Sequence, residues 1–323
     1  MSDTVGVRDQ LVVTGSLAFD HIMDFPGQFK DHILPDKLHV INISFLVERL
    51  TRERGGCAGN IAYTMALLGE RPRIVGAVGH DFADYRAWLE EQGIDTGAIA
   101  VFPEELSASG FAFTDRGDSQ IWGFHVGAMK RARELSLAEL AGERAAACIV
   151  APDDPAAMSR HCEEARRAGL PFFFDPSFQV TNMEGEPLAM AARGAQALFV
   201  NDYELAVFQE KTGYAGERLF ELVDSVVVTL GEEGSRILGP GGAVVEVPPA
   251  EVEEVVDPTG AGDAYRGGYL VGWRRGLEPA VCGRLGSLAA AYAVERYGTQ
   301  NHRYTFDEFR ERYRASFGEE PPL

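Results

Sequence analysis

The sequence has few basic residues for its size. Among 323 residues there are 30 Lys and Arg against 49 Asp and Glu, which gives a formal net charge of −19. Such a surface repels phosphodiester backbones and anionic lipid headgroups, so we expect neither a nucleic-acid polymer nor a membrane as partner. A small anionic substrate stays possible, because local donors and metal ions bind it whatever the net charge of the protein is.

Cysteine and long apolar runs are also scarce. The chain has four cysteines and none forms a C-x-x-C pair, a pattern typical of free thiols in a reducing compartment. It contains no apolar run of 18 residues, and residues 1–10 are polar rather than signal-like. These features predict a soluble, cytoplasmic protein.

Several common catalytic motifs are missing. There is no G-x-x-x-x-G-K-S/T loop, no G-x-S-x-G elbow and no H-E-x-x-H pair, and the seven histidines are dispersed. An ordinary P-loop nucleotide hydrolase, an esterase-like nucleophile and a histidine-rich metal centre are therefore not expected.

From residue 146 onward, short apolar runs alternate with helical patterns, as in 147–151, 155–168, 172–175 and 187–193. This rhythm predicts an α/β fold with a mostly parallel sheet covered on both faces. No linker divides the chain, so we expect one domain over 1–323. The region 22–50 breaks the rhythm, and we predict a strand at 39–43. A hairpin over 108–124 would complete a small projecting sheet.

Polar residues recur where predicted strands end. Asp20, Asp175, Asn201 and the Thr229-Leu230-Gly231 turn each follow an apolar strand pattern. Any one of them could be a cap or a turn residue. Because ligands bind at the carboxyl ends of parallel strands, their repetition predicts a binding site at this edge.

The most informative stretch is Asp257-Pro258-Thr259-Gly260-Ala261-Gly262-Asp263, ahead of a predicted helix over 261–275. Pro258 keeps the preceding residue extended, and the two glycines let a ligand approach the backbone. The first amides of such a helix suit an anion such as phosphate. A carboxylate beside a phosphate makes sense if it takes a proton from the attacking group. The alternative is a glycine-rich turn with an aspartate cap.

Two upstream elements complete the pattern. Asp20 together with the Gly55–Asn60 segment would suit the paired hydroxyls of a polyhydroxylated substrate, although Asn60 could instead cap a helix. Asn201 and Glu204 would suit hydrated Mg²⁺, although they could instead form a capping box.

With these three elements the chain resembles the ribokinase-like, or PfkB-type, carbohydrate and nucleoside kinase family over essentially its whole length. Residues 257–263 resemble its C-terminal signature, 55–60 its Gly-Gly signature, and 201–204 its Asn-x-x-Glu element. The resemblance implies a three-layer α/β/α fold with a mostly parallel central sheet. It also implies a small β-sheet lid, formed by about residues 20–50 and 106–126.

The resemblance also implies ATP-dependent phosphoryl transfer to a primary hydroxyl, with Asp263 as base and the amides of Gly260, Ala261 and Gly262 as anion hole. The helix start would keep Asp263 ionised. By the same resemblance, Mg²⁺ is held through water by Glu204, and many members bind a monovalent cation such as K⁺, here beside Asp257 and Thr259. The implied binding residues are Asp20, Gly55, Gly56 and Asn60 for the sugar, and Asn201, Glu204, Thr229, Gly231, Gly260 and Gly262 for the nucleotide.

The substrate follows from weaker features. Residues 119–129 and 298–300 resemble prokaryotic adenosine-like nucleoside kinases, which adds Gln120 and Phe124 as substrate-binding candidates. Aromatic side chains such as Trp122, Phe124 and Phe45 could stack on a base, or could form the lid's own core. We expect a kinase for the 5′-hydroxyl of a nucleoside such as adenosine. A ribose or fructose kinase and a non-catalytic sugar or nucleoside sensor are the alternatives, and monomer and homodimer both stay open.

Overall fold

A computed structural model describes residues 8–33, 40, 42–117 and 119–323. Its strands, in chain order, are β1 (Gln10–Thr14), β2 (Ala18–Asp24), β3 (Arg49–Gly55), β4 (Arg73–Gly79), β5 (Asp95–Phe102), β6 (Ala108–Thr114), β7 (Gln120–His125), β8 (Ala145–Val150), β9 (Phe172–Phe174), β10 (Ala197–Asn201), β11 (Val226–Thr229), β12 (Ser235–Leu238) and β13 (Val244–Val247). Its α-helices are α1 (Phe29–His32), α2 (Cys57–Leu67), α3 (Ala83–Glu91), α4 (Leu137–Leu140), α5 (Pro155–Arg167), α6 (Gly185–Ala192), α7 (Asp202–Thr212), α8 (Ala261–Arg274), α9 (Pro279–Val294) and α10 (Phe306–Phe317).

The body is built on a nine-stranded sheet with the order β13-β12-β11-β10-β9-β8-β1-β4-β5. The seven neighbouring strands of this sheet from β5 at one edge to β11 pair in parallel. β12 and β13 are added antiparallel at the other edge. Because side chains alternate along a strand, Leu11 and Val13 pack into one core cluster and Val12 into the other. The helices therefore cover both faces, and the predicted three-layer α/β/α arrangement is confirmed.

A separate four-stranded sheet has the order β3-β2-β6-β7, and we call it the small sheet. β6 and β7 form the predicted antiparallel hairpin. The strand predicted over 39–43 is wrong for residues 40, 42 and 43, which are in no strand, whereas 39 and 41 lie outside the described residues. β3 pairs with β2 instead and ends at Gly55. Four of its seven residues are charged (Arg49, Arg52, Glu53 and Arg54) and they do not alternate with apolar ones, so its sequence carries little strand signal.

Strand register places the polar and aromatic candidates of the small sheet together. Asp20 pairs with Gly110, and Gly110 pairs with Phe124. The neighbouring pairs on β6 and β7 are Ala112 with Trp122 and Thr114 with Gln120. Directly paired residues point to the same side of a sheet, so these groups share one face. Those on it with candidate functions are Asp20, Gln120, Trp122 and Phe124.

Helix α2 begins at Cys57, so Asn60 lies inside the helix and is not the cap that the sequence had allowed. The residue before the helix, Gly56, has φ 90°, a conformation that favours glycine. Ser16 accepts the N–H of Cys57 on its Oγ and that of Ala58 on its carbonyl. These contacts fix the start of α2 against the end of β1. Among the described helices, none has the length and apolar character of a membrane span.

Candidate active site

The turn before α8 is held from both sides. The Asp257 carboxylate accepts the N–H of Thr259 at 2.9 Å and the N–H of Gly298 at 3.0 Å. Gly260 has φ 80°, and a Cβ there would lie 2.9 Å from Thr299 Cγ2, so only glycine fits. These contacts and the glycine conformation therefore fix the backbone of residues 257–260 ahead of α8.

The amides at the start of α8 are the candidate anion donors. The N–H of Ala261 reaches the carbonyl of Pro258 at 3.3 Å, and the N–H of Ala264 makes the first helical bond to Gly260. Within the described residues, the N–H groups of Gly260, Gly262 and Asp263 have no protein acceptor. These groups are the ones free to bind an anion at the positive end of the helix dipole.

Asp263 lies in the first turn of α8 and contacts α2. Asn60 Nδ2 donates to Asp263 Oδ2 at 2.8 Å. Burial raises the pKa of the Asp263 carboxyl, and the Asn60 hydrogen bond, the Arg266 guanidinium and the Cys57 thiol oppose that rise. The sequence predicted that the helix start keeps this carboxyl ionised, whereas burial is the largest influence on its pKa and acts in the opposite direction. A raised pKa makes the carboxylate a stronger base once it is ionised.

The Asp20 carboxylate sits between two glycines of neighbouring strands. A Cβ on Gly55 would lie 2.5 Å from Asp20 Oδ2, and one on Gly110 would lie 2.6 Å from Oδ1. Burial, followed by the charges of Asp257 and Glu53, raises the pKa of Asp20 to about 6. Sequence reasoning missed Gly110, although a glycine inside a strand often marks such a close approach.

Sequence reasoning also missed Arg266, which lies one helical turn after Asp263. Its Nη2 donates to Asp175 Oδ1 at 2.9 Å, and both side chains are buried. Burial raises the pKa of Asp175, against the lowering effect of this guanidinium. The Arg266 charge also acts on Asp263 and Glu204, so it links β9, α7 and α8. An arginine in a helix is usually exposed, so no sequence signal marks this one.

The candidate nucleotide-side residues meet at the carboxyl ends of β10 and β11. Asn201 pairs with Thr229 in the sheet register, and Gly231 follows with φ 59°. Asn201 Oδ1 accepts the N–H of Glu204 at 2.7 Å, and Glu204 Oε2 accepts the N–H of Asn201 at 2.8 Å. The capping box considered from the sequence is thus present, and Glu204 Oε1 stays available for another partner.

The described residues contain no group of three or more His, Cys, Asp or Glu side chains arranged to hold a metal. A dedicated protein cage for Mg²⁺ is therefore absent from that part of the chain. The available Glu204 Oε1 fits a Mg²⁺ ion that keeps its water shell and binds mainly to substrate phosphates. Asp257 already uses each carboxylate oxygen for one amide, which leaves further lone pairs for a weakly bound monovalent cation.

The aromatic residues of the small sheet have two different environments. Phe45 packs against Phe25 and Phe29, with ring centroids 4.7 and 5.2 Å apart, and belongs to a local aromatic core. Trp122 and Phe124 are about half exposed on the face that carries Asp20. Gln120 Oε1 accepts the indole N–H of Trp122 at 2.9 Å, which orients the ring. Trp122 and Phe124 are thus available for a ligand, and Phe45 is not.

Two further buried polar groups lie near the site. Asp153 follows β8 at the same sheet edge, and burial raises its pKa to about 8. Gln300 follows α9 and contacts Asn60. In the sequence, Gln300 stands out only because residues 298–300 resemble nucleoside kinases, and Asp153 was not identified as a candidate.

Residues 16–305 match the family described as pfkB family carbohydrate kinase. The chain belongs to that family. It is therefore a phosphotransferase that acts on a hydroxyl group, as the sequence predicted.

Named relatives cover nearly the whole chain. The nucleoside kinase of Methanothermobacter thermautotrophicus is 34% identical over 98% of this chain and 99% of its own. The solved Burkholderia thailandensis nucleoside kinase in complex with inosine is 36% identical, with a TM-score of 0.86, and covers 96% of this chain and 99% of its own. The same enzyme in complex with ADP-inosine is 38% identical, with a TM-score of 0.84, over 96% and 97% of the two chains. The predicted fold and family are thus confirmed.

Proposed function

We propose that the protein is an ATP-dependent nucleoside kinase that phosphorylates the 5′-hydroxyl of a nucleoside such as adenosine. The observation that supports this most directly is the 2.8 Å contact between Asn60 and Asp263. It joins the helix beside the Gly-Gly turn to the helix with the anion-binding amides, so a sugar hydroxyl and a phosphate can meet there. The inosine and ADP bound by the Burkholderia relative support the same substrate pair.

In the proposed reaction, Asp263 accepts the 5′-hydroxyl proton while that oxygen attacks the γ-phosphorus of ATP. The new oxygen–phosphorus bond forms as the bond to the β–γ bridging oxygen breaks, and ADP leaves. A placed base contributes roughly 10²–10⁴ in rate. The amides of Gly260 and Gly262 stabilise the transferring group, joined by that of Ala261 when it exchanges its 3.3 Å contact to Pro258 for the phosphate. Donors fixed on such an oxyanion are worth about 10²–10³. Positioning and charge neutralisation dominate because the transition state is loose.

Substrate binding falls mainly to the small sheet, and helix α2 contributes Asn60. Asp20 and Asn60 hold the ribose hydroxyls beside the Gly55-Gly56 backbone, and Trp122 with Phe124 stacks on the base. Gln120 orients Trp122. Under this proposal, residues 1–323 form one kinase domain whose lid comprises about 20–50 and 106–126. The lid closes the sugar site against water.

Nucleotide binding falls to the carboxyl ends of β10 and β11, with Asn201, Thr229 and Gly231 beside the phosphates. Glu204 holds Mg²⁺ through water, and the ion supplies charge neutralisation on the phosphates. Asp257 and Thr259 are the proposed contacts for a monovalent cation such as K⁺. The use of ATP and the four free thiols support a cytoplasmic location.

A turnover panel tests the proposal. The protein is incubated with Mg-ATP and single nucleosides, ribose or fructose, and ADP formation is measured. We expect turnover of at least one nucleoside and at least a 10²-fold loss in Asp263→Asn, with Asp84→Asn on the exposed face of α3 as the control. Turnover of sugars but of no nucleoside would favour the sugar-kinase alternative. Binding without turnover would favour the sensor, and an active Asp263→Asn would remove the assigned base.

A further inference from the structure

We propose that Gln300 is a positioning residue for the reaction and orients Asp263 through Asn60. This inference rests on the proposed function, because it assigns Asp263 as the base. Gln300 lies in the segment after α9 and touches neither Asp263 nor the anion-binding amides in the described contacts. Its effect passes through a second side chain.

The contacts form a continuous chain of donors. Gln300 is 3% exposed, and its Nε2 donates to Asn60 Oδ1 at 2.7 Å. Asn60 is also buried, and its Nδ2 donates to Asp263 Oδ2 at 2.8 Å. Three residues that are far apart in the sequence are thereby connected in one line, and each donates towards the base.

The order of donors and acceptors gives Gln300 its role. A carboxamide has one acceptor end and one donor end, so fixing its oxygen also fixes where its NH₂ group points. With Asn60 Oδ1 held by Gln300, the NH₂ group faces the carboxylate. A rotation by half a turn would place the Asn60 oxygen against an ionised carboxylate, which is repulsive. Gln300 therefore selects the orientation that stabilises ionised Asp263.

A second branch connects Gln300 to the Gly-Gly turn. Gln300 Nε2 also donates to Tyr85 Oη at 2.5 Å, and Tyr85 Oη donates to the Gly55 carbonyl at 3.0 Å. Gly59 lies next to the contact between Gln300 and Tyr85, and a Cβ at this position would be 2.8 Å from Gln300 Nε2. Glycine inside a helix costs about 0.5–1 kcal/mol relative to alanine. At position 59 the absence of a Cβ leaves room for the hydrogen bond between Gln300 and Tyr85.

The flanking residues hold Gln300 in place. Thr299 Oγ1 donates to the Arg54 carbonyl at 3.0 Å, and Asn301 Nδ2 donates to Glu53 Oε2 at 2.9 Å. Both partners belong to β3 of the small sheet. With the Gly298 contact to Asp257, the segment is attached to the small sheet and to the turn before α8. Gln300 is thus supported on both sides.

A double-mutant cycle tests whether Gln300 acts through Asn60. Gln300→Met keeps the length of the side chain and removes the donor, and we expect kcat to fall roughly 10–100-fold with KM for ATP within twofold. In Asn60→Ala the acceptor for Gln300 is already gone, so adding Gln300→Met to Asn60→Ala should change kcat by less than a further twofold. Additive losses, or an unchanged kcat in Gln300→Met, would overturn the proposal.

The pH profile separates positioning from a merely structural role. The groups facing Asp263 are Asn60 and the Cys57 thiol from α2 and Arg266 from its own helix. The charges of Asp175, after β9, and Asp263 act on each other, and Glu204 in α7 acts on Asp175 and Arg266. Removing the Asn60 hydrogen bond disfavours the ionised carboxylate, so the acid limb of kcat in Gln300→Met should move to higher pH. A lower kcat with an unmoved limb would contradict the proposal.

Two further variants keep the test decisive. Gln300→Glu keeps the shape of the side chain but, when ionised, has no proton to donate to Asn60 or Tyr85, and we expect kcat to fall at least as far as in Gln300→Met. Gln196→Met removes a comparable contact to Asp224 at the amino end of β10 and should leave kcat unchanged. If Asp263→Asn stays active, the proposed function fails. If Asp263→Asn is inactive but the cycle is additive, the role of Gln300 alone fails.

Discussion

Arg266 and Asp175 form a buried ion pair behind the anion-binding turn. Arg266 is 5% exposed and Asp175 is 1% exposed, and the guanidinium lies one helical turn from Asp263. Taking two charges out of water is costly, and their mutual attraction offsets that cost only while both are present. The Arg266 guanidinium thereby places a fixed positive charge among the carboxylates of Asp175, Asp263 and Glu204 in the candidate site.

Loss of this guanidinium should destabilise the fold strongly. Arg266→Met leaves Asp175 buried without its partner, and we expect the free energy of unfolding to fall by about 3–5 kcal/mol in urea titrations. Arg167→Met removes an exposed pair with Glu163 and should change it by less than about 1 kcal/mol. Adding Asp175→Asn to Arg266→Met should recover part of the loss. Equal small effects of Arg266→Met and Arg167→Met would contradict a buried pair.

The raised pKa of Asp20 predicts a pH-dependent stability. The pKa of Asp20 is about 6 in the folded protein, against an ordinary value of 3.8, so the folded state binds the proton more tightly than the unfolded state does. The ionised form therefore destabilises the fold above about pH 6, and the penalty disappears below about pH 4. Asp20→Asn should stabilise the protein by about 1–3 kcal/mol at pH 7.5 and leave it unchanged near pH 4.

Urea titrations at both pH values measure the Asp20 effect. Glu210→Gln on the exposed face of α7 is the control and should change stability equally at both pH values. The same variant Asp20→Asn should raise KM for the nucleoside, since it loses the carboxylate that we propose accepts hydrogen bonds from the ribose hydroxyls. A stability gain that persists at pH 4 would show that its cause is not the titration of Asp20.

Gly110 should be required for the position of the Asp20 carboxylate. In Gly110→Ala the new methyl group would meet Asp20 Oδ1 at 2.6 Å and displace it. We expect KM for the nucleoside to rise at least about tenfold, or roughly 1.4 kcal/mol, with KM for ATP unchanged. Gly123→Ala on β7 is the matched control, because a Cβ there would touch nothing within 4 Å. Equal KM values in the two variants would place the substrate away from Asp20.

Trp122 should distinguish nucleosides from sugars. Stacking of a base on an aromatic side chain is worth about 1–3 kcal/mol. Trp122→Ala should therefore raise KM for the nucleoside by roughly 5–150-fold and leave any turnover of free ribose unchanged. Ile121→Ala, whose side chain points to the opposite face of β7, is the control. A similar rise in KM for both substrates would mean that Trp122 shapes the sheet rather than the base site.

The local elements could be predicted from the sequence because they depend on short-range chemistry. β9 at Phe172 and α8 at Ala261 both begin at the residue that the sequence predicted. Their signals are an apolar run and a glycine-rich turn, which act within a few residues. β3 was missed because most of its residues are charged, and such a stretch gives no apolar strand signal before β2 supplies its backbone partners.

The sequence by itself therefore determined the kind of protein this is: an acidic α/β chain of the kinase family, with a glycine-rich turn, predicted to bind phosphate, ahead of a carboxylate. Only the tertiary structure decided how the site works. The contact between Asn60 and Asp263 spans 203 positions, and that between Gln300 and Asn60 spans 240. Such pairs leave no local pattern, since helix packing and sheet order bring them together. The burial that raises the pKa of Asp263 likewise exists only once the elements have packed.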